Sequence, residues 1–253
     1  MSILAITNLI FGIMSSIIMV AICIPQLISI LKSKTVGNVS YSTFLIYFSG
    51  GVLFIITMVL KDGVGTYQFD SIKHPNSDPI VNIIGNYLFI LIMSSTITSF
   101  LIYDKQKSKS FKVSLGLVLW TICLIMTAWI SIVYIKPSLR VNWDSASVQM
   151  TIITIMATLC TALPFSIQIY KTVKAKSAKG LSIVMLYLGV VVNAALTVYL
   201  GTLLPISAPM WWVCVILQLI AIIIYIMQII LYYYYSKKEK LNDIEPKVLT
   251  QSA

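Results

Sequence analysis

Two segments far apart in the chain carry nearly the same text. The first runs Ile24-Pro25-Gln26, then a basic turn, Lys32-Ser33-Lys34-Thr35-Val36-Gly37-Asn38-Val39-Ser40, then an apolar stretch. The second runs Leu163-Pro164-Phe165, then Lys174-Ala175-Lys176-Ser177-Ala178-Lys179-Gly180-Leu181-Ser182, then another apolar stretch. In each, an apolar helix carries a proline, ends in lysines, turns through a glycine and restarts at a serine. Such a repeat constrains the fold more than any single residue does, because both copies must build the same supersecondary unit.

The repeat sits in a chain suited to lipid. Charged residues make up 10% and hydrophobic residues 58%, and the mean hydropathy is +0.93. Soluble domains carry about 25% charged residues. Apolar runs cover residues 3–31, 42–60, 80–103, 113–135, 149–171, 181–203 and 209–235. Each matches the roughly 20 residues that cross a bilayer as a helix. The first run lacks a basic start and exceeds the length of a cleaved signal, so it is read as a span.

Lysine placement orients these spans. Lys32 and Lys34 lie between spans one and two; Lys105, Lys107, Lys109 and Lys112 between three and four. Lys171, Lys174, Lys176 and Lys179 follow span five, and Lys237, Lys238, Lys240 and Lys247 follow span seven. The opposite side holds only Lys61, Lys73, Lys136 and Arg140. The positive-inside rule puts the N-terminus outside and the C-terminus in the cytoplasm. The plasma membrane is favoured, with an organelle membrane as the alternative. The net charge of +10 therefore serves the lipid bilayer, and no nucleic-acid partner is expected. Oligomeric state is not legible in this pattern.

Span four has no counterpart in the repeat, which gives a 3–1–3 count. Three spans are odd in number, so a second copy fused directly would face the wrong way; one added span restores its direction. The expected fold is an all-α membrane protein. Its seven transmembrane helices form two parallel three-helix bundles joined by a linker helix, an arrangement found in transporters. The expected units are residues 1–103, a basic linker with helix four at 104–140, a second bundle at 141–235, and a disordered cytoplasmic tail at 236–253. That tail is charged and contains Pro246.

Pro25 and Pro164 are the first functional candidates. A proline inside a helix removes one backbone bond and crowds the preceding turn, and the freed carbonyl needs a partner in lipid. One such kink is common in membrane helices; two at matched places read as paired hinges or gates. Gln26 stands beside the first, Phe165 beside the second, and Gln168 lies one turn further on.

Every acidic residue falls outside the spans: Asp62, Asp70, Asp78 and Asp144 on one side, Asp104, Glu239, Asp243 and Glu245 on the other. Mid-membrane ionisable groups usually mark ion or proton relays, so proton coupling is disfavoured. Asp62 and Asp78 remain as candidates beside their simpler reading as solvated loop carboxylates, and His74 reads as a loop histidine. Uncharged polarity is left. Asn82 and Asn86 share one face of span three, and Asn193 and Thr197 one face of span six. Gln149, Gln168, Gln218 and Gln228 add amides. Asn82, Asn86, Asn193, Thr197 and Gln218 are the candidate solute contacts. Bonding between neighbouring helices, worth about 0.6 kcal/mol each, is the competing reading. Ser94-Ser95-Thr96, Thr98 and Ser99 read as close packing. Gly50, Gly51 and Gly189 allow close approach or bending; Trp143, Trp211, Trp212 and Tyr232–Tyr235 read as interface anchors. Cys23, Cys123, Cys160 and Cys214 lie inside spans without Cys-x-x-Cys spacing, as small apolar thiols. No disulfide, metal or cofactor is expected. No phosphate loop, histidine cluster or Ser/His/Asp set appears, so no enzyme is expected.

Pro25-Gln26, the Lys34–Ser40 turn, its echo at Lys176–Ser182 and the 3–1–3 count resemble the PQ-loop family. That group includes SWEET sugar transporters, cystinosin-type amino-acid transporters and KDEL-type receptors. The resemblance covers most of the chain except span four and the tail. It implies that the prolines hinge alternating access and that the substrate lies between the two bundles. Asn82-Ile83-Ile84-Gly85 is similar to the Asn-x-x-Gly segment of SWEET span three, whose asparagine contacts sugar. The chain departs from the pattern at Phe165, where a second glutamine is expected. It departs again at Met210, where an asparagine usually follows Pro209, and near Thr43 and Met185, where SWEETs carry further prolines. The expected function is transport of a small neutral or zwitterionic solute, sugar or amino acid, by facilitated diffusion. The alternative is a seven-helix receptor or cargo-binding adaptor.

Overall fold

The computed structural model describes residues 3–60, 80–139, 148–203 and 209–251, together with 141 and 206. Among the described residues, seven helical segments are long and apolar enough to cross a membrane. Two of them are broken. Span one is α1 (Ile3–Ala21) and α2 (Ile24–Ser33); span five is α6 (Val148–Ala162) and α7 (Pro164–Ala175). Span two is α3 (Tyr41–Leu60), span three α4 (Ile80–Tyr103) and span four α5 (Lys109–Ile135). Span six is α8 (Ile183–Leu203) and span seven α9 (Pro209–Gln251). The prolines do more than bend their helices. Each lies in the first turn of a new one, where its missing N–H and fixed φ are tolerated. The residues before these turns, Cys23 (φ −88°) and Leu163 (φ −97°), offer no side-chain cap.

The three spans of each half pack in the order one, three, two. α4 lies between α1 and α3, and α9 lies between α6–α7 and α8. The halves then meet crosswise: α1 and α2 lie against α8, and α3 lies against α6 and α7. This exchange is what a two-fold relation along the membrane normal requires. α5 belongs to the first half. Ser94 meets Cys123 Sγ at 3.2 Å, and Trp120 Nε1 donates to Thr98 Oγ1 at 3.2 Å. Tyr87 and Thr127 share a hydroxyl bond of 2.5 Å. These contacts use the polar face of α4 to dock the linker.

Close approach is set by small residues. A Cβ on Gly50 would lie 2.6 Å from Thr161 across the two halves, and one on Gly189 2.1 Å from the Tyr225 ring. The centre is a layer of fully buried aromatic rings. Phe44 meets Phe100 edge-on at 4.8 Å, Tyr47 meets Phe89 at 5.0 Å, and Phe165 meets Tyr225 at 4.6 Å. Such pairs add stability beyond the area they bury. All four cysteines are free thiols.

The expectation of a disordered tail from residue 236 is corrected. The backbone of α9 continues as helix to Gln251. Residues 236–241 are rich in straight-chain helix formers, and Ser177 Oγ hydrogen-bonds Glu239 Oε1, pinning the extension to the second lysine turn.

Candidate gate and solute pathway

Both basic turns begin with a lysine in the left-handed region, Lys34 (φ 51°) and Lys176 (φ 48°). In both, a glycine with positive φ follows, Gly37 (58°) and Gly180 (88°). Left-handed lysines are uncommon, and their recurrence marks equivalent positions in the two halves. Ser40 and Ser182 then cap α3 and α8, accepting from Thr43 N and Met185 N at 3.4 Å each. The turns pack back to back. A Cβ on Gly37 would lie 2.4 Å from Lys179 O, and one on Gly180 2.5 Å from Val36 O. Asn38 N donates to Lys179 O at 2.9 Å, joining the turns by backbone.

A glutamine from each half clamps the other half's turn. Gln26 Nε2 donates to Gly180 O at 2.7 Å, and Ser182 N donates to Gln26 Oε1 at 2.8 Å. In mirror fashion, Gln168 Nε2 donates to Asn38 O at 3.2 Å, and Ser40 N donates to Gln168 Oε1 at 2.9 Å. Gln26 and Gln168 are both fully buried. The counterpart of Gln26 is therefore Gln168, and reading Phe165 as its replacement is corrected. The interval from Gln26 to Ser40 equals that from Gln168 to Ser182, which was a usable signal. Anchoring the comparison on the prolines concealed it, because Pro25 directly precedes its glutamine while Pro164 precedes its own by a full turn. In this register Phe165 corresponds to Cys23, and Tyr47 to Gly189. Aromatic bulk on one side of the centre thus faces small residues on the other, and the Tyr225 ring fills the space over Gly189.

Two further contacts tighten the lysine-rich end. Lys171 Nζ donates to Val39 O at 2.5 Å, and Thr43 Oγ1 donates to Pro164 O at 3.1 Å. Tyr41 Oη donates to Asp104 Oδ2 at 3.0 Å, fastening the start of α3 to the end of α4.

The expected solute contacts divide by what their polar atoms touch. Asn82 ties the halves together far from the lysines: Ser16 Oγ donates to Asn82 Oδ1 at 2.6 Å, and Asn82 Nδ2 donates to Tyr199 Oη at 3.1 Å. Ser16 and Tyr199 were not legible as partners, being one serine and one tyrosine on spans one and six. Asn86 Nδ2 donates to Asn82 O at 2.9 Å, and its buried Oδ1 has no partner. Asn193 Nδ2 and Thr197 Oγ1 bond carbonyls of their own helix, Gly189 O at 2.6 Å and Asn193 O at 2.8 Å. Gln218 is fully buried, and neither its Oε1 nor its Nε2 has a partner. On span five, Thr158 Oγ1 lies 3.8 Å from Cys214 Sγ. That pair repeats Ser16–Asn82, because Thr158 and Ser16 correspond in the clamp register. Asn86 and Gln218, one turn further along their helices, are then equivalent positions of the two halves.

Other expected groups have plainer roles. Trp211 Nε1 donates to Gly201 O at 3.0 Å, joining α8 to α9, while Trp212 is exposed. Gln149 is exposed. Asp62, Asp70, Asp78, Asp144, His74 and Trp143 lie outside the described residues, as does the side chain of Met210. Among the described residues, no cluster of histidine, cysteine and carboxylate side chains could hold a metal.

Comparison with known proteins agrees with the repeat and the fold. The PQ loop repeat matches the chain twice, over residues 7–66 and 150–202. No curated protein matches it significantly. Among solved structures, the chain is similar to a eukaryotic SWEET transporter determined at 3.7 Å. The TM-score is 0.55 at 14% sequence identity, with 93% of this chain and 100% of that one covered. At this identity the likeness concerns the fold.

Proposed function

The chain belongs to the PQ-loop family, with one copy of the repeat in each half, and from that premise we propose that it is a membrane transporter working by alternating access. The observation that carries this reading is the pair of reciprocal glutamine clamps. Each half holds the other's turn through two hydrogen bonds. Rocking of one bundle against the other breaks or makes both clamps together. The Asn82–Tyr199 bond crosses the halves near the opposite end and exchanges with them. The likeness to a SWEET transporter supports the same reading.

The solute is small and neutral or zwitterionic, a sugar or an amino acid, held between the bundles. The unpartnered amide atoms of Asn86 and Gln218 are its leading contacts, with Asn82, Asn193 and Thr197 as supports. Facilitated diffusion fits spans that lack acidic residues, and the lysine-rich end lies in the cytoplasm by the positive-inside rule. Uptake into proteoliposomes, screened with sugars and amino acids with and without a pH gradient, tests the proposal. Uptake independent of the gradient is expected. A strict requirement for the gradient overturns the uncoupled mechanism, and solute binding without flux points instead to a receptor or cargo-binding adaptor.

Pro25→Ala and Pro164→Ala test the hinges. Alanine lets the helices run on through the breaks at residues 22–23 and 163, so each variant is expected to lose more flux than membrane expression. Parallel loss of both would assign the prolines to folding alone.

A further inference from the structure

The two clamps are alike where they touch the opposite half and unlike behind it. Gln168 uses its second amide hydrogen on Thr172 Oγ1, at 3.2 Å. Gln228 Nε2 of α9 reaches the same hydroxyl at 3.0 Å. All three side chains are fully buried, and together they form a continuous polar chain from the first half's turn to span seven. In the first half the equivalent of Thr172 is Ile30, fully buried and unable to accept the remaining N–H of Gln26. The matching polar residue on α4, Thr96, donates instead to its own helix at Ile92 O. The chain of bonds therefore exists in one half only.

It is also incompletely satisfied. As assigned, Gln228 Oε1 has no partner. With the amide turned over, the Thr172 hydroxyl would donate to Oε1, so the contact between Gln228 and Thr172 survives either orientation. This unpaired buried amide atom is an exception that calls for a reason, and a bond that rearranges supplies one. Gln228 lies on the same inward stripe of α9 as Tyr225 and Gln218, all fully buried.

We propose that Gln168, Thr172 and Gln228 form a relay that couples the second clamp to span seven, so that release of the Asn38–Ser40 turn loosens the helix carrying Gln218. Thr172 and Gln228 are positioning residues in this scheme, acting through the clamp and not on the solute. The two halves then differ in mechanism: opening the first clamp leaves span three in place, and opening the second lets span seven move. The inference rests on the reading that the lysine-rich end opens.

Hydrogen–deuterium exchange on the full-length protein in nanodiscs, without solute, tests it directly. Gln168→Leu is expected to speed exchange in the α9 segment around Tyr225–Gln228 by roughly three- to tenfold, the range set by one or two buried bonds in a membrane protein. In a Thr172→Ile background, which gives this half the residue its counterpart already has, Gln168→Leu is expected to add nothing, and non-additivity of this kind measures coupling. Thr172→Ser keeps the hydroxyl and should preserve the response. Gln26→Leu supplies the internal control, because its chain stops at Ile30 and α4 exchange should not change. The relay is overturned if Gln168→Leu leaves α9 unaffected, if Thr172→Ser behaves as Thr172→Ile does, or if Gln26→Leu loosens α4 equally. Because exchange is read without any solute, failure here is distinguishable from failure of the transport reading, which proteoliposome uptake decides separately.

Discussion

Gln218→Leu is expected to give a protein that is more stable than the parent and nearly inactive in transport. Both polar atoms of the Gln218 amide are buried without a partner. An unsatisfied buried polar group costs about 1–3 kcal/mol, and replacing it by an apolar side chain of similar size removes that cost. In a bilayer the gain falls toward the lower end, because the unfolded reference also finds partners. The same change deletes a donor and an acceptor available to a neutral solute, so uptake should fall roughly thirtyfold, as expected for two hydrogen bonds lost at about 1 kcal/mol each. Thermal unfolding in detergent and uptake of the transported solute read the two effects separately. A drop in stability would show that Gln218 serves the helix packing and would remove it from the pathway. The trade between stability and activity is the general mark of a functional site held in a strained or unsatisfied state.

Gln26→Leu and Gln168→Leu should each loosen the lysine-rich end to a similar degree. Gln26→Leu strands Gly180 O and Ser182 N; Gln168→Leu strands Asn38 O and Ser40 N. At about 1 kcal/mol per lost bond the closed arrangement weakens by about 2 kcal/mol, roughly a thirtyfold shift toward the open one. A cysteine placed at Leu181, which is buried directly after Gly180 of the second turn, reports this as faster labelling by a membrane-impermeant maleimide applied from the lysine side. Phe165→Gln is the informative companion. If Phe165 occupied the clamp position, a glutamine there would tighten the end; the geometry predicts no gain, because Gln168 already fills that role. Fast labelling in Gln26→Leu with none in Gln168→Leu would show that the second clamp is idle.

How far the fold was legible follows from which interactions are local. Lipid demands that backbone groups be satisfied within each segment, so seven spans could be read from hydropathy alone. The duplicated Pro–Lys–Gly–Ser text with one unpaired span led to the 3–1–3 arrangement by parity. The breaks at Pro25 and Pro164 follow from proline chemistry. The helical course of residues 236–251 did not, because composition spoke for disorder while Ser177, from a distant turn, bonds Glu239 in the extension.

The candidate site was less legible for a related reason. Asn82, Asn86, Asn193, Thr197 and Gln218 look alike in sequence as amides and hydroxyls in apolar helices. What separates them is whether a neighbour satisfies them: Asn82 is bonded across the halves, Asn193 and Thr197 turn back on their own helix, and Asn86 and Gln218 keep unpaired atoms. That distinction depends on packing between segments and carries no local signal.

The repeat shows the same division. By itself the sequence determined that the chain contains two copies of one membrane unit, which way they face one another, and where each helix breaks. It did so because lipid solvation, proline geometry and lysine placement act within a single segment. Only the tertiary structure decided the register between the copies. Gln26 and Gln168 are equivalent because each clamps the opposite turn, a contact between residues far apart in the chain. The proline that dominates the local text sits at different distances from the two glutamines.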